Sequence, residues 1–444
     1  MLAELWFDLE LDFWSLVMAV FVGGGCGLLG TVFLLRRAAL LGDAVSHSVL
    51  PGIAAGLLLH YAIGGDREDA GIGTNVTTIF VLIGAIAAGA LSTTFIELLH
   101  RHTRIQPDAA LASVFPAFFA AGVILIDVYG RGSHLDVNCV FFGSLESVGS
   151  FGQVAPTIAS AVAVVLAFVL FGKEILATSF DPKFSQAIGL PHRGISLVLV
   201  LLLATVVVTA FEAVGAVLVI AFLIVPPATA LLLSDRFKRV LILAALLGIA
   251  AGIIGCWLTV VFDHFGVRSG RAPMMALSAG AQFGVAFLFA PRRGVIARTR
   301  RRLLLRRRIL DENFLGAVCR LSQRLPNGAF APVKIELVAD SLAQELPRLR
   351  GAIARETKRG GLIDHGDGTV SLTPEGESRI RGLLRAHRLW ESYLAQTLGA
   401  PADHVHDAAD EVEHFLSPQL LEDLFEHLER PEIDPHGSEI PGGG

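Results

Sequence analysis

The sequence predicts an all-α polytopic membrane protein of about nine transmembrane helices, followed by a soluble C-terminal region with a winged-helix part and a helical part. Three observations predict it. Of the 444 residues, 53% are hydrophobic and only 17% charged, against about 45–50% and about 25% in ordinary soluble domains. The apolar excess is confined to residues 12–290, whereas 292–444 have soluble composition. Within the first part, apolar runs recur at the length of about 20 residues that crosses a bilayer as a helix.

The spans read as 12–35, 44–62, 77–98, 109–129, 152–172, 194–210, 211–233, 239–262 and 273–290. The first follows the acidic "AELWFDLELDFW", not a basic segment with a small-residue cleavage site, so it reads as an uncleaved span. The sixth and seventh form one apolar run, 195–233, too long for a single crossing; "TAFEAVG" interrupts it, and the split is placed near Glu212. Nine spans put the termini on opposite sides. The segment "RRGVIARTRRRLLLRRR" (292–308) holds nine arginines directly after the last span. That places the C-terminus in the cytoplasm and the N-terminus outside. "RRAALLGD", "RHTRIQPD", "FDPKFSQAIGLPHR" and "DRFKR" then fall inside, and the acidic "GGDREDAG" and "LELD" outside. Trp6, Phe7, Phe13 and Trp14 form an outer aromatic belt. Glycine runs such as "FVGGGCGLLG" allow close helix approach. Four scattered cysteines without a CxxC pair point away from a disulfide framework or a cysteine zinc site. The net charge of -5 averages two unlike halves.

Two polar residues stand out in "GDAVSHSVLPG" (42–52). Asp43 and His47 are four apart, so on a helix they share a face. Imidazole with carboxylate suits a borderline divalent metal such as Mn²⁺, Fe²⁺ or Zn²⁺; an ordinary hydrogen bond at a helix end fits the same spacing. Pro51 is expected to interrupt the helix ladder. Glu212 is a second intramembrane carboxylate, or a residue of an outer turn.

"GTVFLLRRAALLGDAVSHSVLPGIAAG" (30–56) resembles the core of the permease subunits of ABC importers for zinc, manganese and iron. "RIQPDAALASVFPAFFAAGVIL" (104–125), "EILATSFDPKFSQAIGLP" (174–191) and "EAVGAVLVIAFLIVPPATALLL" (212–233) are similar to the same family in order. The resemblance implies a bacterial inner-membrane permease, a homodimer or paired, with a central path lined by Asp43 and His47 as metal ligands. It also implies that "SFDPKFSQAIGLP", with Phe180, Asp181 and Gly189, is the coupling helix that docks on the ATPase. No GxxxxGK[ST] phosphate loop is present, and Gly172-Lys173 is followed by Glu174. Nucleotide is therefore expected on a separate ABC ATPase subunit and not on this chain, which is not itself an enzyme. An extracytoplasmic metal-binding protein is expected to deliver the ion.

Beyond the arginine-rich linker (292–308), "VKIELVADSLAQELPRLRGAIARETKRGGLI" (333–363) reads as helix, turn, helix, with Pro347 near the start of the second helix. "IDHGDGTVSLTPEGESRIRG" adds two short strands around Gly366-Asp367-Gly368, so 309–380 reads as a winged helix-turn-helix. Arg348, Arg350, Arg355, Lys358 and Arg359 fit DNA phosphates or a solvated helix face. His387 and Glu391 lie at i,i+4, and Asp410, Glu413 and His414 at i, i+3 and i+4, each set on one helix face.

"VSLTPEGESRIRGLLRAHRLWESYL", "VHDAADEVEHFLS" and "ERPEIDPHGSEIP" are similar to the metal-dependent repressors of the diphtheria-toxin/manganese-repressor family. The resemblance makes 381–444 a metal-binding and dimerisation-like part. It carries that family's ligands onto His387, Glu391, His406, Asp410, Glu413 and His414, and a carboxylate at 410 leans toward Mn²⁺. The family's N-terminal helix also supplies ligands, and here Asn313 and Gly316 occupy those places. The expected whole is the permease of an ATP-driven importer, Mn²⁺ before Fe²⁺ or Zn²⁺, with a tail that senses metal and regulates transport. A membrane-tethered, metal-responsive DNA-binding regulator with a vestigial permease is the alternative. An ion-driven carrier needing no ATPase is a third reading.

Overall fold

The structure is a computed structural model that describes residues 9–36, 39–63, 75–103, 106–129, 143, 145–322, 330–401 and 404–442. The chain divides into two compact units, Met1–Arg298 and Thr299–Gly444.

Among its described residues the first unit is built of long apolar helices. They are α1 (Leu9–Leu35), α2 (Ala39–Ala62), α3 (Asn75–His102), α4 (Pro107–Tyr129), α5 (Phe151–Phe180), α7 (His192–Val214), α8 (Ala216–Leu233), α9 (Phe237–His264) and α10 (Arg271–Phe289), with the short α6 (Pro182–Ala187) after α5. Six are long and apolar enough to cross a membrane, and α2, α4 and α8 contain the shorter apolar stretches Leu50–Ala62, Ala112–Val128 and Leu218–Leu233. The unit is therefore a multi-pass membrane bundle. Small residues let its backbones meet. A Cβ on Gly23 would overlap Gly248 O of α9, one on Gly30 would overlap Leu223 O of α8, and one on Gly52 would overlap Gly84 O of α3. Met18, Val22, Leu29, Leu203, Val207 and Phe222 fill the space between.

Two local expectations take a definite form. The break in the long apolar run falls at Gly215, φ +76°, three residues beyond Glu212. Glycine takes that left-handed conformation without a Cβ penalty, so the turn settles there and not at the charge. Pro51, which lacks a ladder N–H, interrupts the hydrogen-bond ladder as expected without ending the helix, for α2 runs through it. Gly122 of α4 lies so close that its Cβ would sit 2.7 Å from Pro51 N. Close packing holds the helix across the one backbone bond that proline cannot make.

In the second unit, α11 (Val295–Leu321) brings Asp311, Phe314, Leu315, Ala317 and Val318 into the core. Next come β1 (Val333–Lys334), α12 (Ile335–Ser341), α13 (Leu346–Lys358), β2 (Leu362–Asp364) and β3 (Thr369–Leu372). The strands form an antiparallel sheet of order β1-β3-β2, with Val333 opposite Val370 and Leu362 opposite Leu372. The two-residue β1 is too short to show a periodicity in sequence. Phe314, Val338, Leu349, Ile353, Val370 and Ile380 pack between helices and sheet. Pro347 sits in the first turn of α13. The last part contains α14 (Pro374–Leu398), α15 (His406–Val412), a 3-10 turn (Glu413–Phe415) and α16 (Pro418–His427). Thr373 starts α14 by accepting a bond from Gly376 N at 3.0 Å, and Gly399 at φ +66° ends it. Leu389, Leu428 and Ile440 form a small separate core beneath this part.

Candidate functional site

Asp43 and His47 fall in the second and third turns of α2. Their side chains lie outside the described residues, as does that of Glu212. What the helix fixes is their four-residue spacing on one face.

The segment expected to meet the ATPase is α6 with its flanks. Asp181 caps it, its Oδ1 accepting from Phe184 N at 2.9 Å, and Pro182 occupies the first turn. Gly189 turns the chain back at φ +80°. Phe180, Phe184 and Ile188 are exposed at 61%, 54% and 54%, an apolar set on a short loop between two long helices. The Phe180 ring stands 6.1 Å from that of Phe237.

In the second unit, α14 carries His387 and Glu391 one turn apart, and the stretch from α15 into the 3-10 turn carries Asp410, Glu413 and His414. The His387 ring lies between them. Its Nδ1 is 2.7 Å from Glu413 Oε2 and 3.3 Å from Asp410 Oδ1, and its Nε2 is 3.0 Å from Glu391 Oε1. Burial opposes charge on this ring, but the hydrogen bond to Glu413 and the charges of Glu391, Glu413 and Asp410 push its pKa above the ordinary histidine value. With both nitrogens facing carboxylates, the protonated ring donates twice.

His387, Asp410 and Glu413 offer ligand atoms within 4.8 Å of one another. Glu391, Asp434 and His436 form a second such group, with Glu391 Oε2 3.6 Å from His436 Nδ1. Both groups open on a cleft of about 580 Å³ that Gly316 and Cys319 also line. His414 pairs through Nδ1 with Glu312 Oε2 at 2.7 Å. Its Nε2 is buried with no hydrogen-bond partner among the described residues, 3.7 Å from Glu413 Oε1. Burial opposes ionisation of Glu312, yet the bonds from His414 and Arg308 hold its pKa below the ordinary glutamate range. A donor set of imidazole and carboxylate without thiolate fits a hard-to-borderline divalent ion.

Of the expected tail ligands, the structure gathers His387, Glu391, Asp410 and Glu413 around one ring and turns His414 toward Glu312. The side chain of His406 lies outside the described residues. Sequence reasoning missed Glu312, Asp434 and His436. The Asp-x-His spacing in "IDPHG" was a usable signal for the last two. Glu312 directly precedes Asn313, and only the fold shows that this carboxylate is the one turned to His414.

The basic residues of α13 divide. Arg355 gives Nε and Nη2 to the buried Asp311, at 3.0 and 2.6 Å, and Arg359 reaches Asp311 and the fully buried Glu356. Arg348 and Arg350 are exposed at the start of the helix.

The family model described as "ABC 3 transport family" matches residues 8–290. The chain belongs to this family. Like other members, this ABC 3 permease is a membrane subunit of a transport system and not an enzyme, with ATP hydrolysis on a separate subunit. The manganese transport system membrane protein MntD of Bacillus subtilis is 38% identical to it over 311 residues, covering 66% of this chain and 97% of the relative. The zinc transport system membrane protein TroD of Treponema pallidum is 33% identical over 378 residues, covering 83% and 97%. A probable metal transport system membrane protein of Chlamydia trachomatis is 30% identical over 434 residues, 93% of this chain and 92% of that one, so the likeness extends into the tail. The solved PsaBC of Streptococcus pneumoniae in complex with Fab superposes with a TM-score of 0.57 at 31% identity, covering 66% of this chain and 98% of that one. Residues 373–442 of this permease match a second family model, the metal binding and dimerisation domain of iron dependent repressors. Both family resemblances read from the sequence are thereby confirmed.

Proposed function

We propose that this chain is the membrane-spanning subunit of an ATP-driven importer of a divalent transition metal, Mn²⁺ first and Fe²⁺ or Zn²⁺ after it, and that its tail senses the arriving ion. The observation that carries the reading is the union, in one chain, of a transport-family match over 8–290 with a histidine facing three carboxylates in the tail. The names of manganese and zinc relatives support the substrate class.

In this reading nine spans place the N-terminus outside and the C-terminus in the cytoplasm, and two permeases enclose a central path. An extracytoplasmic protein delivers the ion, which passes Asp43 and His47, while the ATPase subunit acts on Phe180, Asp181 and Gly189. In the metal-free tail a proton holds His387 to its carboxylates. A metal ion shared by His387, Asp410 and Glu413 takes the place of that proton and fixes α15 against α14. The tail is organised as a winged part (309–380) and a metal-binding part (381–444), and the bound state restrains transport.

Uptake into vesicles containing the chain and its ATPase is measured with Mn²⁺, Zn²⁺ and Fe²⁺ in competition. Mn²⁺ competes best, and Asp43→Ala or His47→Ala each abolish uptake; normal uptake in both variants overturns the path assignment. Preloading the cytoplasmic side with Mn²⁺ slows uptake by the full chain and not by a chain lacking 309–444. Equal slowing in both overturns the sensing role. Exposed Arg348 and Arg350 favour a second reading, DNA contact by the tail. A salt-dependent electrophoretic shift of the full chain in detergent supports it.

A further inference from the structure

Arg36 is the first residue after α1, its N–H still bonded to Val32 O at 3.0 Å. Its guanidinium leaves that helix and reaches two others. Nη2 donates to Thr178 Oγ1 at 3.0 Å and Nε to Ser179 Oγ at 2.9 Å, both in the last turn of α5. Nη1 donates to Ser196 Oγ at 3.1 Å, in the first turns of α7. Thr178 and Ser179 donate hydrogen bonds from their own hydroxyls to carbonyls of α5, Thr178 to Glu174 O at 2.8 Å and Ser179 to Ile175 O. Their lone pairs are thus turned toward the arginine. Thr178 and Ser179 precede α6, and Ser196 follows it. One rigid, planar group therefore spans both flanks of the α6 loop, at the end of the helix that leads after three residues into α2 with Asp43 and His47.

We propose that Arg36 is the positioning residue that transmits displacement of α6 to the first turns of α2, so that ATPase action on the loop is felt where the metal passes. This rests on the reading of 180–189 as the ATPase-docking segment. The geometry needs the fork of an arginine. A lysine ammonium is a point charge on a flexible stem and does not hold three acceptors of two helices in one plane. Coupling between sites travels through contiguous networks of packed and hydrogen-bonded groups, and Arg36 joins the two sides of α6 to the end of α1 that leads into α2.

The test reconstitutes the full chain with its ATPase subunit and measures metal ions moved per ATP hydrolysed. Arg36→Ala lowers this ratio by about tenfold, within the roughly 5–150-fold span of inter-site coupling. Arg36→Lys lowers it less, and Ser196→Ala, which removes one contact of three and leaves the helix ends intact, lowers it least. Transport and hydrolysis falling in proportion, so that the ratio stays constant in all three variants, overturns the proposal and leaves Arg36 a purely structural residue. Gln186→Cys cross-linking to the ATPase separates the two readings. With the cross-link formed and the ratio unchanged, the Arg36 link alone is wrong; with no cross-link in an otherwise native chain, the docking reading fails and the link with it.

Discussion

Replacing His387 by alanine tests the tail site on two counts. The ring donates to Glu391 and to Glu413, whose side chains are 2% and 9% exposed. Without it both carboxylates stay buried and each loses one donor, a defect worth up to about 1–3 kcal/mol per group. His436 at 3.6 Å and His414 at 3.7 Å stand near enough to offset part of it, so about 2 kcal/mol is expected in all. In a unit of this size 1 kcal/mol moves Tm by about 2–4 °C, so the metal-free variant melts about 4–8 °C lower. Mn²⁺ at 100 times its dissociation constant stabilises the native tail by about 2.7 kcal/mol, a rise of roughly 5–11 °C in the unaltered chain. A variant whose affinity is 100-fold weaker retains about 0.4 kcal/mol at the same concentration, close to 1 °C. Differential scanning fluorimetry of the full chain in detergent, with and without Mn²⁺, reads both effects. A metal-induced rise of the original size in His387→Ala refutes the assignment of that ring as a ligand.

The remaining predictions concern pH, the buried ion pairs and the bundle. Because the folded pKa of His387 is raised, its stabilising contribution is complete below the ordinary value of about 6.5 and is lost as pH rises through the folded value. The metal needs the neutral ring, so over the same interval the Mn²⁺-induced shift grows; thermal scans from mildly acid to mildly alkaline pH show the two trends crossing. Arg355→Ala strands an Asp311 side chain only 2% exposed, leaving it Arg359 at 3.3 Å, and costs about 2–3 kcal/mol. Asp311→Ala costs about 1 kcal/mol, because an arginine one-third exposed can rehydrate; chemical denaturation gives the order, and equal values argue against the buried pair. Gly30→Ala places a Cβ against Leu223 O, a backbone atom that cannot swing aside. It lowers the yield of monodisperse protein in size-exclusion chromatography, by overpacking of about 3 kcal/mol or more, whereas Gly284→Ala, with nothing within 4 Å, does not.

The sequence by itself determined that residues 12–290 carry the apolar runs of a membrane bundle and that the residues after them do not, because burial in lipid demands long uninterrupted apolar runs. It also determined the local pairs His387–Glu391 and Asp410–Glu413, since helical spacing is a property of neighbours in sequence. The two family resemblances rested on contiguous motifs and were legible for the same reason. Where the sixth and seventh helices part was decided by backbone freedom at Gly215 and not by the charge at Glu212. Pro51 stays helical because α4 packs against it. The tertiary structure alone decided that Glu312, 102 residues before His414, turns its carboxylate to that ring, and that Arg355 faces Asp311 and not solvent. It likewise brought Asp434 and His436 to Glu391 and Arg36 to both flanks of α6. Those partners are far apart along the chain, and no periodicity records them; only the folding of helices onto one another brings their polar groups together.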